Sequence, residues 1–423
     1  MYEKNNALWA DLKTKNSTKT SANASTKKNL VLGMNNNAVK YPRSTKRNRI
    51  SRGSKYEVQY TYCFLTNEMS IPKNVAIIIP SINPKTSVCD VVDQTAQELG
   101  KLSLVIIIQV REGKSIKEIL KGHSYTLFSH QKNSYYFTPI DILPFKRFSI
   151  IKKINLFINV FALQIYLMCN KKSTVIIWNF FPHVAYLNSL FLMKKILVFD
   201  IVDFFTSQSS HMQKELDDQK IILLKKADHV FAISETLKKR YQQLFNRKIT
   251  IVPQGFDLDG LVQNSLQAKK VSIKKNKRPI IGFIGGINDR LDYDLLNQII
   301  PANPTIEFVF CGPVTVDENI SGYTYPARVD TLLSHKNVTH IQRKKRSELL
   351  AIINTFDICM IPYNIRLPFN LYCYPMKIFE YFYAGKPVIA TPIKELKSEI
   401  FTDLIYTSNT KKQWQDDIEI ILK

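Results

Sequence analysis

Short runs of consecutive apolar residues recur along the chain, separated by turns and by amphipathic segments. Runs such as Val75–Pro80 and Leu104–Val110 are too short for helices, and their continuous apolarity is typical of strands buried in a parallel sheet. Between them, Val88–Leu99 has helical spacing and ends at Gly100. This order of strand, helix and strand predicts a doubly wound α/β sheet. Further strands are predicted at Val175–Trp178, Ile196–Val202, Pro279–Ile284, Glu307–Cys311, Asn337–Gln342, Asp357–Pro362 and Val388–Ala390.

The stretch YPMKIFEYFYAGKPVIAT, residues 374–391, contains the strongest local signals. Pro375 suits the first turn of a helix over Met376–Ala384, because its missing N–H would have no partner there. Gly385 suits the left-handed position that ends a helix, and Pro387 prevents the helix from resuming. The pattern therefore predicts a helix followed by a short strand.

Two charged residues, Lys377 and Glu380, share one face of this helix, whereas Ile378, Phe379 and Phe382 are predicted to face the core. A cation in the first turn opposes the helix dipole unless an anion binds beside it. A diphosphate held by Lys377 would remove this conflict, and Glu380 could then accept hydrogen bonds from ribose hydroxyls. The alternative is an exposed ion pair, worth a few tenths of a kcal/mol.

Positive charge is concentrated at the beginning of the chain. The 423 residues carry a net charge of +24, and residues 1–55 contribute +11, with 13 lysines and arginines against Glu3 and Asp11. So polar a segment cannot bury enough apolar surface to offset its ordering entropy, and we predict a disordered tail. The tail could attract an anionic membrane surface, and a solvated tail without a role explains it as well. No aromatic and basic recognition module accompanies it, so nucleic-acid binding is disfavoured.

The cysteines are scattered, without a C-x-x-C pair or a zinc-binding spacing, which indicates reduced thiols in a cytoplasmic protein. No apolar signal core occurs near residue 1. The most apolar long segment is Ile154–Cys169, which contains Asn155, Asn159 and Gln164 between pairs of lysines. It predicts an amphipathic helix of the domain or, alternatively, a helix in the plane of a membrane. The six cysteines are Cys63, Cys89, Cys169, Cys311, Cys359 and Cys373.

Several segments together resemble one enzyme family. The pattern K-x-x-E-Y-x-x-A-G-K-P-V-I-A-T around Lys377 resembles the nucleotide-sugar signature of GT-B glycosyltransferases, in the retaining glycosyltransferase family 4 and the glycosyl transferases group 1 superfamily. The resemblance runs from about Asn74 to residue 423. It implies two Rossmann-like domains facing across a cleft, with a last helix that returns to the first domain. Other similar segments are Phe137–Leu167, Phe199–Asp203, Ala227–Leu237, Ile249–Asp257 and Glu307–Pro313.

The predicted domains follow from this resemblance and from composition. After the tail at 1–55, an N-terminal, acceptor-side domain is predicted over 56–263. A lysine-rich linker follows over 264–277, and a C-terminal domain that binds the nucleotide sugar is predicted over 278–423.

In this family the helix at Lys377 binds the donor diphosphate, and the glutamate at position 380 holds the ribose. Gly285 and Gly286 follow a predicted strand and would let a phosphate approach the backbone closely. Relatives often carry an arginine directly after the first glycine. Here Arg290 is the nearest cation, so we predict that it partners Lys377, oriented by Asp289; pairing with Asp292 or Asp294 is the alternative.

One family feature is absent. Relatives place a second glutamate about seven residues before Glu380, and this chain has Tyr372 and Cys373 there. The sugar contact would then come from another group, and Tyr363 and Asn370 are the candidates.

Candidates for the acceptor side follow predicted strands, where open α/β sheets bind ligands. They are Asn179 and His183 after one strand and Asp203 after the next. His183 could equally pack against the following helix, and Asp203 could serve only to cap a turn.

The resulting hypothesis is a glycosyltransferase that moves a hexose-type sugar from a nucleoside diphosphate sugar to a hydroxyl acceptor, carbohydrate or lipid-linked, in surface polysaccharide or glycolipid biosynthesis. Retention of configuration is implied by the resemblance. No metal and no cofactor beyond the nucleotide-sugar co-substrate are expected, because fixed cations would neutralise the diphosphate. The expected location is the cytoplasm or the inner face of the cell membrane. The alternatives are a non-catalytic GT-B subunit and a nucleotide-sugar epimerase of the same fold.

Overall fold

A computed structural model describes residues 71–82, 91–110, 114–116, 127–131, 133–144, 148–206, 210–253, 255, 278–315, 325–398 and 400–423. The predicted tail at 1–55 and the predicted linker at 264–277 lie outside these ranges, so both stay predictions.

The first part of the described chain is built on an eight-stranded sheet. Its strand order is β10-β9-β8-β7-β1-β2-β5-β4, and neighbouring strands are parallel except for β4 and β5. Every residue of β1 is buried, as expected of a strand covered on both faces. The strands are β1 (Val75–Ser81), β2 (Leu104–Gln109), β3 (Lys114–Ser115), β4 (Phe128–Gln131), β5 (Ser134–Phe137), β6 (Ile140–Asp141), β7 (Thr174–Asn179), β8 (Lys194–Ile201), β9 (His229–Ala232) and β10 (Thr250–Ile251), of which β3 and β6 form a separate parallel pair.

Helices of this part connect the parallel strands. The Ser234 hydroxyl accepts a hydrogen bond from the Leu237 amide at 3.2 Å and caps the last of these helices, as serine commonly does at a helix start. The helices are α1 (Val91–Gly100), α2 (Ser149–Cys169), α3 (Ser210–Lys226) and α4 (Glu235–Gln242), with a 3₁₀ segment at Pro182–Leu190.

The second part is built on a six-stranded, fully parallel sheet. Its order, β13-β12-β11-β14-β15-β16, is that of a dinucleotide-binding fold, and the strand order reverses between β11 and β14. The strands are β11 (Ile280–Ile284), β12 (Glu307–Cys311), β13 (Val338–Ile341), β14 (Ile358–Ile361), β15 (Val388–Ala390) and β16 (Ile405–Thr407). The helices are α5 (Tyr293–Ala302), α6 (Tyr325–Ser334), α7 (Arg346–Thr355), α8 (Pro368–Leu371), α9 (Lys377–Tyr383) and α10 (Lys411–Leu422), with a 3₁₀ turn at Glu395–Lys397. The predicted pair of doubly wound sheets is confirmed.

The last helix differs from the prediction. Trp414 is fully buried in the core of the second part, and its indole N–H donates to the Ser408 carbonyl at 2.9 Å. Helix α10 packs against α5. It therefore packs in the core of the second part, whereas the resemblance implies a return to the first.

Polar and aromatic contacts join the two parts. The Thr236 hydroxyl donates to the Glu395 carboxylate at 2.7 Å, and the rings of Phe204 and Tyr372 lie 5.2 Å apart. Arg240 lies over both rings, 5.0 and 5.7 Å from their centroids. The carboxyl end of β8 thereby faces the loop that precedes α9.

Candidate functional site

Two loops meet where the strand order of the second sheet reverses. The first follows β11 and contains Gly285 and Arg290; the second follows β14 and begins near Tyr363. A β-bridge between Leu291 and Tyr363 joins them. In open α/β sheets ligands bind outside the strand ends at this point.

Tyr363 brings the two predicted cations together. The Lys377 ammonium donates to the Tyr363 hydroxyl at 2.7 Å and lies 4.8 Å from the centroid of its ring. The Arg290 guanidinium lies 4.4 Å from the same centroid. Tyr363 is buried, so its ring holds both positive groups at one place beside the carboxyl ends of β11 and β14.

Arg290 is fixed on several sides. Its Nε donates to Asn370 Oδ1 at 3.0 Å, and its guanidinium lies 4.6 Å from the centroid of the Phe369 ring. Burial opposes its charge, but Tyr363, Cys373 and Asp203 outweigh that effect, so the pKa of Arg290 is raised. The guanidinium therefore remains charged and oriented before any ligand arrives.

The surroundings of Arg290 differ in part from the prediction. Asn370 supplies a hydrogen bond that orients the guanidinium, and the orienting role of Asp289, which lies half-buried in the same loop, stays a prediction. The alternative, an ion pair with Asp292 or Asp294, is wrong. Arg366 forms ion pairs with both carboxylates instead, at 3.6 Å from Asp292 and 2.8 Å from Asp294.

The glycines allow close approach at this point. Gly285 has φ +142°, and a Cβ placed on it would lie 2.8 Å from the Lys377 ammonium. Its N–H donates to the Cys311 carbonyl at 2.9 Å, so that amide is already used by the fold. The Gly286 N–H finds no acceptor within the part of the chain that the structure describes. Of the two predicted phosphate-binding amides, only that of Gly286 is available.

Helix α9 supplies Lys377 and Glu380. It spans seven residues, one fewer at each end than predicted, and Gly385 ends it with φ +65°. Ile378 is buried as predicted, whereas Phe379 and Phe382 only flank the core. Tyr381 fills the core in their place, and its hydroxyl accepts from the Ile284 amide at 3.0 Å, which ties α9 to β11.

Glu380 lies half-buried one turn from Lys377. Burial raises the pKa of its carboxyl group, and the charges of Arg346 and Lys377 oppose that rise. The carboxylate thus interacts electrostatically with Lys377 of the cation cluster, and its contact with a ribose stays a prediction.

Asn370 does not fit its predicted contact with a sugar. It is fully buried, and its Nδ2 donates to the carbonyls of Arg290 and Asn364, both at 3.0 Å. Because its oxygen accepts from Arg290, the whole amide serves to hold the two loops together. Tyr363 also has a supporting role, because its hydroxyl accepts from Lys377 and its ring lies against Arg290.

The acceptor-side candidates fall in three different surroundings. Asn179 lies inside the sheet with no exposed surface, and its amide donates to the Val198 carbonyl at 3.2 Å, which does not fit the prediction that it meets an acceptor. His183 is exposed and lies edge-on to Phe205, with the ring centroids 6.0 Å apart. Asp203 is half-buried at the contact between the two parts.

Asp203 interacts electrostatically with the donor-side cluster. Burial raises the pKa of its carboxyl group to about 6, although the charge of Arg290 acts in the opposite direction. Its backbone carbonyl accepts from the Tyr241 hydroxyl at 3.1 Å. The structure therefore brings one acceptor-side candidate close to the predicted diphosphate cations.

Sequence patterns missed some of the residues that build this region. Cys373, at one of the two positions where relatives carry the glutamate, is buried beside Arg290, and burial raises the pKa of its thiol to about 11. Lys220 is fully buried, with its ammonium 2.8 Å from Asp217 and 5.0 Å from the centroid of the Phe204 ring. It lies in a polar helix, and nothing in its neighbours along the chain marks it as buried.

Metal ligands and thiols add little to the site. Among the described residues, no three His, Cys, Asp or Glu side chains are grouped as a metal ion would require. The thiols of Cys311, Cys359 and Cys373 are free and buried, and that of Cys169 is free and exposed. That the reaction needs no metal stays a prediction.

Comparison with known proteins supports the fold. No family model matches the chain. Over 227 residues the chain is 26% identical to TuaH of Bacillus subtilis (strain 168), whose name provisionally assigns it to teichuronic acid biosynthesis as a glycosyltransferase. The alignment covers 51% of this chain and 55% of TuaH, so the chain spans about half the length of this curated relative.

Solved structures match over a larger share of the chain. A sucrose-phosphate synthase from Thermosynechococcus elongatus matches with a TM-score of 0.59 and 12% identity, covering 82% of this chain and 89% of that protein. Alr3699/HepE of Anabaena, in complex with UDP and glucose, matches with a TM-score of 0.55 and 12% identity, covering 82% and 90%. The fold is therefore that of the GT-B glycosyltransferases, in agreement with the resemblance to the group 1 superfamily.

Proposed function

We propose that the protein is a glycosyltransferase that moves a hexose-type sugar from a nucleoside diphosphate sugar to a hydroxyl acceptor, in surface polysaccharide or glycolipid biosynthesis. The observation that carries the proposal is the placement of Lys377 and Arg290 on one tyrosine, 4.8 and 4.4 Å from its centroid. That tyrosine stands where the strand order of a dinucleotide-type sheet reverses.

Leaving-group stabilisation accounts for catalysis at such a site. When the bond between the anomeric carbon and the diphosphate oxygen breaks, negative charge grows on the departing diphosphate. Lys377, Arg290 and the Gly286 N–H would meet this charge without reorganisation, because the protein already holds them in place. These fixed positive groups can do the work of a divalent ion, so we propose a reaction that needs no metal.

The remaining residues divide between nucleotide and acceptor. Glu380, one turn further along α9, would accept hydrogen bonds from the two ribose hydroxyls. Asp203 would contact the acceptor hydroxyl or accept its proton, since a carboxyl group with a pKa of about 6 is mostly ionised at neutral pH. His183 is exposed on the same side of the first sheet and is the second acceptor candidate. Retention of configuration is proposed on the family resemblance.

The test measures donor turnover by the full-length protein. A thermal-shift panel of UDP- and GDP-sugars identifies the donor, because a ligand that binds only the folded state raises the melting temperature. UDP-glucose is tested first, since HepE holds UDP and glucose. Mass spectrometry then detects release of the nucleoside diphosphate. Lys377→Ala is expected to lower this release by about 10²–10³-fold, the usual cost of losing one donor to a developing oxyanion.

Lys412→Ala is the matched control, because Lys412 is exposed on α10 of the same part of the chain. Equal turnover by wild type and Lys377→Ala would contradict the proposal. If the wild type bound a donor but released no nucleoside diphosphate, a non-catalytic subunit would be favoured. Conversion of the free nucleotide sugar into an epimeric nucleotide sugar would favour an epimerase.

A further inference from the structure

Helix α2 presents its apolar side chains to solvent. Six of them recur at spacings of four and three residues and are between 39 and 68% exposed. Between these side chains and the sheet, the inward face of the same helix carries three amides that are at most 5% exposed. The inward face also buries Leu156, Val160, Leu163 and Leu167, so α2 has an apolar face on each side and only one of them covers the core. The outward residues are Ile150, Ile154, Phe157, Phe161, Ile165 and Met168, and the inward amides are Asn155, Asn159 and Gln164.

The buried amides fix the rotation of the helix about its axis. Asn155 accepts from the Leu143 N–H at 2.7 Å and donates to its carbonyl at 3.1 Å, and Asn159 makes the same pair of bonds to Ile140, both at 2.8 Å. Gln164 accepts from the Leu192 N–H at 2.6 Å. Turning the helix to bury its aromatic side chains would leave these groups without partners, at a cost for each one. The hydrogen bonds of the three amides therefore hold the apolar stripe on the surface.

Neighbouring residues extend this stripe. Leu192, whose backbone is bonded to Gln164, is 70% exposed and is the most exposed of the large apolar side chains described. Phe148, directly before the helix, is 51% exposed. The rings of Phe157 and Phe161 stack with centroids 6.1 Å apart. Together with the six outward residues of α2, Leu192 and Phe148 form what we call the α2 patch. Its helical portion, from Ile150 to Met168, is about 27 Å long at 1.5 Å per residue. So continuous an exposed patch is typical of a docking surface.

The charged residues around the α2 patch indicate what kind of partner it binds. Lysines flank it at both ends, with Lys152 and Lys153 in the first turn of α2 and Lys171 and Lys172 directly after it, and residues 148–173 contain no acid. An apolar face with lysines around it is the composition of helices that lie in an anionic membrane surface. A symmetric contact between two copies would instead place lysines against lysines on a chain whose net charge is already +24.

We propose that the α2 patch seats the protein on an anionic membrane surface, with α2 in the plane of the head groups. By length and composition alone, Ile150–Cys169 could cross a membrane. The amides bonded to Leu143, Ile140 and Leu192 place it instead as a surface element of the first part, because crossing would break all of these bonds. The proposal concerns attachment only and does not depend on the proposed glycosyl transfer.

Vesicle binding of the full chain tests the proposal. Sedimentation is measured with phosphatidylcholine vesicles that either contain or lack about 30 mol% phosphatidylglycerol, which gives a negative surface potential. The double variant Phe157→Ser/Phe161→Ser is expected to lower partitioning onto anionic vesicles at least tenfold. Ile400→Ser/Leu404→Ser, which replaces two exposed apolar residues of the second part, should leave it unchanged.

The basic tail is present in every variant, so binding by the tail alone predicts equal partitioning of all of them and would overturn the proposal. Both double variants alter exposed positions, and unchanged circular dichroism and melting temperature verify that they fold. A dimer that dissociates in Phe157→Ser/Phe161→Ser, with unchanged vesicle binding, would identify the patch as a contact between copies.

Depth distinguishes lying on the membrane from crossing it. A tryptophan introduced as Phe161→Trp should be quenched by lipids brominated near the head group and much less by lipids brominated near the chain ends. The reverse order would mean a spanning helix and would refute the in-plane arrangement. The variant is made in a Trp9→Phe background, because Trp9 belongs to the basic tail. Trp178 and Trp414 are buried and should respond to neither lipid.

Discussion

Replacing Tyr363 by phenylalanine isolates one contact of the cation cluster. The change keeps the ring, and with it the contacts to Lys377 and Arg290, but removes the oxygen that accepts from the ammonium at 2.7 Å. A hydrogen bond to a charged group contributes about 1.5–3 kcal/mol. Lys377 is half-buried, so water replaces part of this bond, and we expect a loss of about 1–2 kcal/mol of ligand binding.

This loss corresponds to an increase of about 5- to 30-fold in the Kd for a nucleoside diphosphate. The physical reason is preorganisation: without its acceptor the lysine must be ordered by the ligand itself. Isothermal titration calorimetry with UDP at fixed ionic strength measures the change, since charge interactions depend on salt.

A second tyrosine in the same part of the chain provides the control. The Lys394 ammonium donates to the Tyr372 hydroxyl at 2.9 Å and lies 4.4 Å from its ring centroid, which closely repeats the chemistry of the Lys377 pair. Tyr372→Phe should therefore leave the Kd unchanged. Equal effects of the two variants, or no effect of Tyr363→Phe, would refute the assignment of the cluster to the diphosphate.

Two further predictions concern the carboxylates of the site. Between pH 3.8 and about 6 the folded protein holds a proton on Asp203 that the unfolded chain has lost, so this residue lowers the free energy of unfolding as pH rises through that interval. Asp203→Asn should thus stabilise the protein by about 1–3 kcal/mol at pH 7.5 and have little effect at pH 3.5 in urea titrations, because each tenfold change in proton affinity on folding is worth about 1.4 kcal/mol; equal effects at both pH values would contradict this origin. Glu380→Gln should weaken UDP binding about 10-fold by replacing a charged acceptor of two ribose hydroxyls, with Glu419→Gln on α10 as the exposed control. If UDP and uracil lost the same affinity in Glu380→Gln, the ribose assignment would be wrong.

Apolar runs predicted the central strands of both sheets, whereas β3 to β6 and β16 were not predicted. The predicted Glu307–Cys311 strand matches β12 at both ends, and Val388–Ala390 matches β15. Such runs succeed because a strand covered on both faces needs apolar side chains at every position. The end of α9 was equally clear, since Gly385 alone can take φ +65° there without strain.

The sequence pattern did not predict which face of α2 packs against the protein. Apolar residues recur at helical spacing on two faces of α2, one with Leu156, Val160 and Leu163 and one with Phe157, Phe161 and Ile165, so periodicity does not say which face meets the protein. The choice depends on Ile140 and Leu143, at β6 and just after it, and on Leu192, after the 3₁₀ segment, because the amides of α2 bond the backbone groups of these residues. The same limit explains the misassigned roles of Asn179 and Asn370, whose partners lie 19 and 80 residues away.

The chain alone determined two parallel-sheet units and a cationic site near Lys377, because local apolar runs, glycine turns and a charge placed against a helix dipole are written into neighbouring residues. Tertiary structure decided how the site is assembled. It placed Arg290 and Lys377 on one tyrosine, made Asn370 the link between the two loops and left one of the two apolar faces of α2 exposed. Each of these outcomes depends on hydrogen bonds and ring contacts between residues distant along the chain, and such pairings form only when the strand order brings their loops to one edge of the sheet.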